Sequence, residues 1–152
     1  MFQKVTSTTN DLVLTILRLV LGVVVFAHGA QKLLGWFGGR GFSGTVSFYG
    51  HLGFSTPLAF LAIAVEFFGG LALIVGFLGR IAALGVICKM LTVVWHLAWQ
   101  YGFFMNWTGE QKGEGYEYHL LAIALGLAIL IRGSGALSVD KCLGARSSQP
   151  VK

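Results

Sequence analysis

The chain reads as an all-α membrane protein, a bundle of four transmembrane helices with a long glycine-rich loop or re-entrant segment after the first. Three observations lead there. Of 152 residues, 55% are hydrophobic and 11% charged, against about 25% charged in a typical soluble domain, and so few charges cannot build a surface that faces water. Mean hydropathy is +0.75. The apolar residues gather in four runs separated by polar or glycine-rich connections, and the length suits one domain.

The runs cover residues 12–34, 57–78, 81–104 and 116–131. The first three are long enough for a hydrocarbon core that needs about 20 residues. Lys4 followed by an apolar run could mimic a signal peptide, but Arg18 interrupts the run and no small-residue cleavage site follows, so it reads as a retained first helix. The fourth run spans only if it recruits Tyr116, Glu117, Tyr118 and His119. Gly79-Arg80 joins the second and third in a tight turn. The connection 35–56 carries Phe42, Val46, Tyr49 and Leu52 near helical spacing, which points to a short interfacial or re-entrant helix.

Lys4, Arg80, Arg132, Lys141, Arg146 and Lys152 fall on one side of this arrangement; Lys32, Arg40 and Lys112 fall on the other. The positive-inside rule then puts both termini in the cytoplasm of a bacterium, in its inner membrane. The expected organisation is a cytoplasmic N-terminus at 1–11, a transmembrane domain at 12–132 and a cytoplasmic tail at 133–152. The net charge of +5 is scattered rather than gathered into a patch, which argues against a nucleic-acid partner. Cys88 and Cys142 form no CxxC pair, and Cys88, deep in an apolar run, reads as a buried structural cysteine.

Gly39-x-Gly41-x-x-Gly44 has the spacing of a dinucleotide-binding loop, with Glu66 some way downstream. Such a loop needs a strand before it and a helix N-terminus for the phosphates. A transmembrane helix precedes these glycines, and no nucleotide is expected.

Charge inside hydrocarbon is costly and usually faces a bundle interior or a wet cavity. Arg18, Gly22, Val25, Gly29 and Lys32 follow one seam of the first span, with His28 beside it. Arg18 and Lys32 could also snorkel to the two interfaces. Glu66 sits mid-span among small residues in the second run, where Arg18, Lys32 and Lys89 are the available cations. Gly85, Lys89, Thr92, His96, Trp99 and Phe103 keep a four-three rhythm along the third. By helical wheels and topology, His28, Lys32, His96, Glu117 and His119 converge toward the outer leaflet with Glu66 just below. Such a site suits a quinone head group exchanging protons, a metal held by His and Glu, or a proton or ion relay. No Glu-x-x-His or His-x-x-x-His pair occurs, so no metal ligand is assigned.

Arg18-Leu19, Gly22, His28-Gly29-x-x-Lys32 and Gly35-Trp36-Phe37-Gly38-Gly39 resemble the opening of the DoxX family of small membrane proteins. Glu66-Phe67-x-Gly69-Gly70, Gly79-Arg80, Gly102-Phe103-Phe104-x-Asn106-Trp107 and Glu114-Gly115-x-Glu117-Tyr118-x-Leu120 continue it in order. The resemblance runs from about residue 12 to 140. It implies a four-helix membrane bundle related to the membrane subunit of a thiosulfate:quinone oxidoreductase, with other members tied to thiol and oxidative-stress defence. The family's recurrent polar positions correspond to His28, Lys32, Glu66, Glu117 and His119. The expected function is a quinone-linked membrane oxidoreductase or subunit, with Trp36, Trp99 and Phe103 lining the ring pocket. A homodimer or a second redox subunit is the expected partner beyond membrane lipid. The competing readings are a scaffold that docks soluble redox proteins and, ranked last, a small transporter.

Overall fold

The computed structural model describes residues 5–146. Lys4 and Lys152, both counted in the charge asymmetry, lie outside the described residues, as does the side chain of Arg146. Among the described residues every regular element is helical. In chain order these are α1 (Leu12–Leu33), a single 3₁₀ turn (Trp36–Gly38), α2 (Gly41–His51), α3 (Thr56–Val75), α4 (Gly79–Tyr101), α5 (Glu117–Arg132) and α6 (Val139–Arg146).

Three of these, α1, α3 and α4, are long and apolar enough to cross a membrane. Their outward positions stay apolar, with Val13, Leu61 and Trp95 all well exposed, as a lipid-facing surface requires. At 16 residues, α5 is about 24 Å long, short of a hydrocarbon core about 30 Å thick. The connection 35–56 is not an open loop. Eleven of its residues form α2, which is tied to the end of α1 by a hydrogen bond from the Thr45 hydroxyl to the Lys32 carbonyl (3.2 Å).

Asp11 starts α1 by accepting hydrogen bonds from the Val13 and Leu14 amides at 2.8 and 3.2 Å. This is ordinary N-capping, which satisfies donors that the first turn leaves free. Glycine then sets the packing. A Cβ on Gly29 would lie 2.4 Å from the Phe67 amide nitrogen, and one on Gly70 would lie 2.5 Å from that of Phe26. α1 and α3 therefore meet backbone to backbone, as small residues allow between membrane helices. Elsewhere Leu21, Val25, Leu73, Ala83, Val86, Met90, Ala122 and Ile129 form the apolar core of α1, α3, α4 and α5.

One end of the bundle is closed by buried polar groups. Arg18 is 1% exposed. It does not snorkel; it donates to the carbonyls of Leu73 and Ile74 at the end of α3, and to those of Ser134 (2.7 Å) and Leu137 (2.6 Å). A cation on the free carbonyls of a helix C-terminus is favoured by the helix dipole. Asp140 does the converse for α4. Its carboxylate accepts from the Leu78 and Gly79 amides (2.8 and 3.0 Å) and from the Ser134 hydroxyl (2.6 Å). Leu78 has φ of +51°, a conformation unfavourable for a branched side chain, and Asp140 holds it there. Arg80 caps α5 through the carbonyls of Leu130 and Ile131. The segment expected to be a tail thus folds back in its first part: Ser134, Ser138 and Asp140 are all buried.

Because Gly29 touches backbone rather than a movable side chain, Gly29→Ala is expected to cost roughly 1–3 kcal/mol or more of stability. Thermal melting of the purified protein measures it. Gly50→Ala, where an added Cβ meets nothing within 4 Å, is expected to leave the melting temperature unchanged or raise it slightly.

Candidate functional site

The Gly29 contact has a chemical consequence. It presses α1 onto the backbone at Glu66 and Phe67, so Lys32, one turn further along α1, comes level with the Glu66 carboxylate. Lys32 pairs with one carboxylate oxygen and Lys89 of α4 with the other. Glu66 is 2% exposed, while the Lys32 and Lys89 side chains are 25% and 14% exposed. Arg18, also a candidate partner, is taken up at the far end of α3. The three side chains carry one negative and two positive charges, a surplus of one positive charge.

Glu66 lies in a π-turn, Val65–Gly69. Such turns insert one extra residue and recur at functional sites. Around the ion pairs is a cavity of about 520 Å³. His28, Tyr118 and His119 line it together with Lys32, Glu66 and Lys89. The His28 and Tyr118 rings stand 6.1 Å apart, and those of Tyr118 and His119 5.4 Å apart. His119 is buried; its Nδ1 makes no well-formed hydrogen bond, although the Gly115 backbone is close enough to interact with the ring. The Tyr118 hydroxyl is also buried without a hydrogen-bond partner. Buried polar atoms are normally satisfied, and these two belong to residues that line the cavity.

Of the residues singled out from the sequence, His28, Lys32, Glu66 and His119 therefore meet. His96 does not join them. A second π-turn, Val94–Ala98, advances the helix face by about 100°, so Leu97, Ala98 and Tyr101 face the cavity. His96 is exposed and packs edge-on against Phe54. Trp99 and Phe103 turn away with it and form a cluster on Tyr116, at 5.4 and 5.6 Å between ring centroids. Trp36 is 52% exposed and lies against Phe37. None of these three rings lines the cavity. Glu117 points to the connection 102–115, where its carboxylate accepts from the Met105 amide and the Trp107 indole N–H, both at 3.0 Å.

Sequence reasoning left out Lys89 and Tyr118 as site residues. A lysine in mid-span was signal enough for the first. Tyr118 was read only as one of the residues that lengthen the fourth span, and its place on the cavity comes from the fold. Cys88, expected to be buried, is exposed. Among the described residues no three His, Cys, Asp or Glu side chains are grouped to hold a metal ion.

Removing one partner of a buried ion pair costs about 3–5 kcal/mol, whereas replacing the whole set by apolar groups is often neutral or stabilising. Glu66→Gln is accordingly expected to lower the melting temperature clearly, and Lys32→Met with Glu66→Met and Lys89→Met to restore it. Glu117→Ala is expected to cost about 1–3 kcal/mol, because one carboxylate oxygen accepts both the Met105 amide and the Trp107 indole bonds. Proteolysis within 102–115 should speed up in that variant, with the ion pairs untouched.

The DoxX family profile matches residues 13–99, from the start of α1 to the end of the second π-turn. The chain is 26% identical over 125 residues, 82% of its own length and 82% of the relative's, to a Bacillus subtilis (strain 168) protein named "Putative oxidoreductase CatD". No solved structure matches. With more than half of its length matched, including Lys32, Glu66 and Lys89, the chain belongs to the DoxX family.

Proposed function

We propose that the protein is a quinone-linked membrane oxidoreductase, or the membrane subunit of one, and that the Lys32–Glu66–Lys89 cavity receives the quinone head group. The observation that carries this reading is a buried carboxylate held between two lysines, on a cavity that His28, Tyr118 and His119 also line. The name of the Bacillus relative supports the reaction class.

A bound quinone supplies an acceptor for two electrons and two protons. The chain supplies the rest. The Tyr118 hydroxyl is free to donate a hydrogen bond to a carbonyl oxygen. The surplus positive charge of Lys32 and Lys89 favours negative charge building up on an oxygen beside them, which is electrostatic stabilisation in a water-poor site. Glu66, His28 and His119 are the groups that give and take protons. The electrons come from a small reduced sulfur or thiol compound, oxidised at the membrane surface as part of thiol metabolism or oxidative-stress defence. In this reading α5 completes a four-helix bundle in a bacterial inner membrane. Both termini and the Arg80 turn face the cytoplasm, and a second copy or a second redox subunit covers part of the thin bundle.

Tyr118→Phe separates function from fold. It removes a hydroxyl that makes no bond in the chain, so stability is expected to hold or rise. KM for a soluble quinone is expected to rise about three- to tenfold, the worth of one hydrogen bond. Glu66→Gln, assayed below its lowered melting temperature, is expected to lose at least about 100-fold in quinone-dependent turnover. Normal turnover in Glu66→Gln would falsify the assignment.

A further inference from the structure

A second hollow, of about 260 Å³, lies between α3 and α4. Small side chains create it. Ala59 and Ala62 on α3 face Gly85 and Cys88 on α4, and these helices do not close over one another there. Leu58 and Leu61 stand at its lip, 42% and 59% exposed, in a segment apolar and long enough to cross a membrane. The hollow therefore opens toward lipid rather than water. It lies beside the polar cavity. Lys89, Val93 and Leu97 line both spaces, so one face of α4 runs from an apolar groove to the Glu66 ion pairs, and Lys89 marks the change.

We propose that this groove holds the apolar tail of the molecule whose head enters the Lys32–Glu66–Lys89 cavity. The ligand is then an amphiphile, a quinone with a long isoprenoid or alkyl chain, which enters sideways from the bilayer. The proposal rests on the head-group reading above and extends it to substrate class. The wall shared with the polar cavity, Lys89, Val93 and Leu97, favours this occupant: a water-soluble ligand would have no use for the groove, and a single amphiphile can fill both spaces.

Cys88 gives a direct probe, because its thiol lines the groove. Cys142 lines a different hollow, together with Val75 and Leu143, and is removed as Cys142→Ser. The protein is placed in phosphatidylcholine nanodiscs and Cys88 is alkylated with a small apolar maleimide. Two fully ring-substituted benzoquinones are compared, one with a decyl chain and one with a methyl group in its place. At ten times its Kd the decyl quinone is expected to slow alkylation about tenfold, and the methyl quinone to leave the rate unchanged. A bulky side chain in the groove, Ala62→Phe, displaces about two chain methylenes and is expected to shift the ratio of the two affinities about tenfold against the decyl quinone.

If both quinones bind and turn over but neither protects Cys88, the tail lies elsewhere and the proposal fails while the head-group reading stands. If neither quinone binds by any measure, the head-group reading fails and takes the proposal with it. If Cys88 is already protected by phosphatidylcholine and the decyl quinone changes nothing, the groove belongs to an ordinary acyl chain and the proposal is overturned.

Discussion

The structure is organised around one carboxylate that is almost wholly buried. Glu66 is buried in the middle of a helix long and apolar enough to span a membrane, where an unpaired charge would cost several kcal/mol. Two lysines from two other helices make it tolerable. Each lysine must arrive at a fixed height, and this fixes how α1 and α4 sit against α3. Gly29 permits the close approach on one side. On the other, Gly85 and Ala62 line the groove beside Lys89. The ion pairs therefore set the packing as well as the chemistry of the cavity.

The two ends of the bundle are treated differently. At the Arg18 end the buried charges are paired with backbone groups. Arg18 occupies four carbonyls, Asp140 caps α4, and the segment around Ser134 and Ser138 is buried over both. At the Glu66 end the accounting is incomplete. The Tyr118 hydroxyl has no hydrogen-bond partner, His119 Nδ1 makes no well-formed one, and a cavity of about 520 Å³ remains. A protein built only for stability would satisfy or remove those atoms. Their retention beside an ion-pair set with one surplus positive charge is the physical reason to look for a ligand there.

Much of this was legible in the sequence. The seam Arg18, Gly22, Val25, Gly29 and Lys32 lies buried or half-buried on one face of α1 as the spacing predicts, because the helix is regular throughout. Glu66 was expected to point inward among small residues, and it does. The reading went astray where the helix is irregular. The turn Val94–Ala98 carries no composition that announces an extra residue, so the regular rhythm placed His96, Trp99 and Phe103 on the wrong face. The role of Arg18 was hidden for a different reason. Its partners are backbone carbonyls up to 119 positions away, and backbone groups leave no mark in a residue pattern. The same holds for Asp140, which the sequence presents only as a charge in a polar tail.

The central claim is that the Glu66 cavity binds a quinone. Mass spectrometry of the protein extracted gently from its native membrane tests it most directly. The account predicts a co-purifying quinone in near-stoichiometric amount, greatly reduced when Lys32, Glu66 and Lys89 are replaced together by methionine in a variant that stays folded. A stably folded wild-type protein that carries no quinone and takes none up from added quinone in nanodiscs would contradict it.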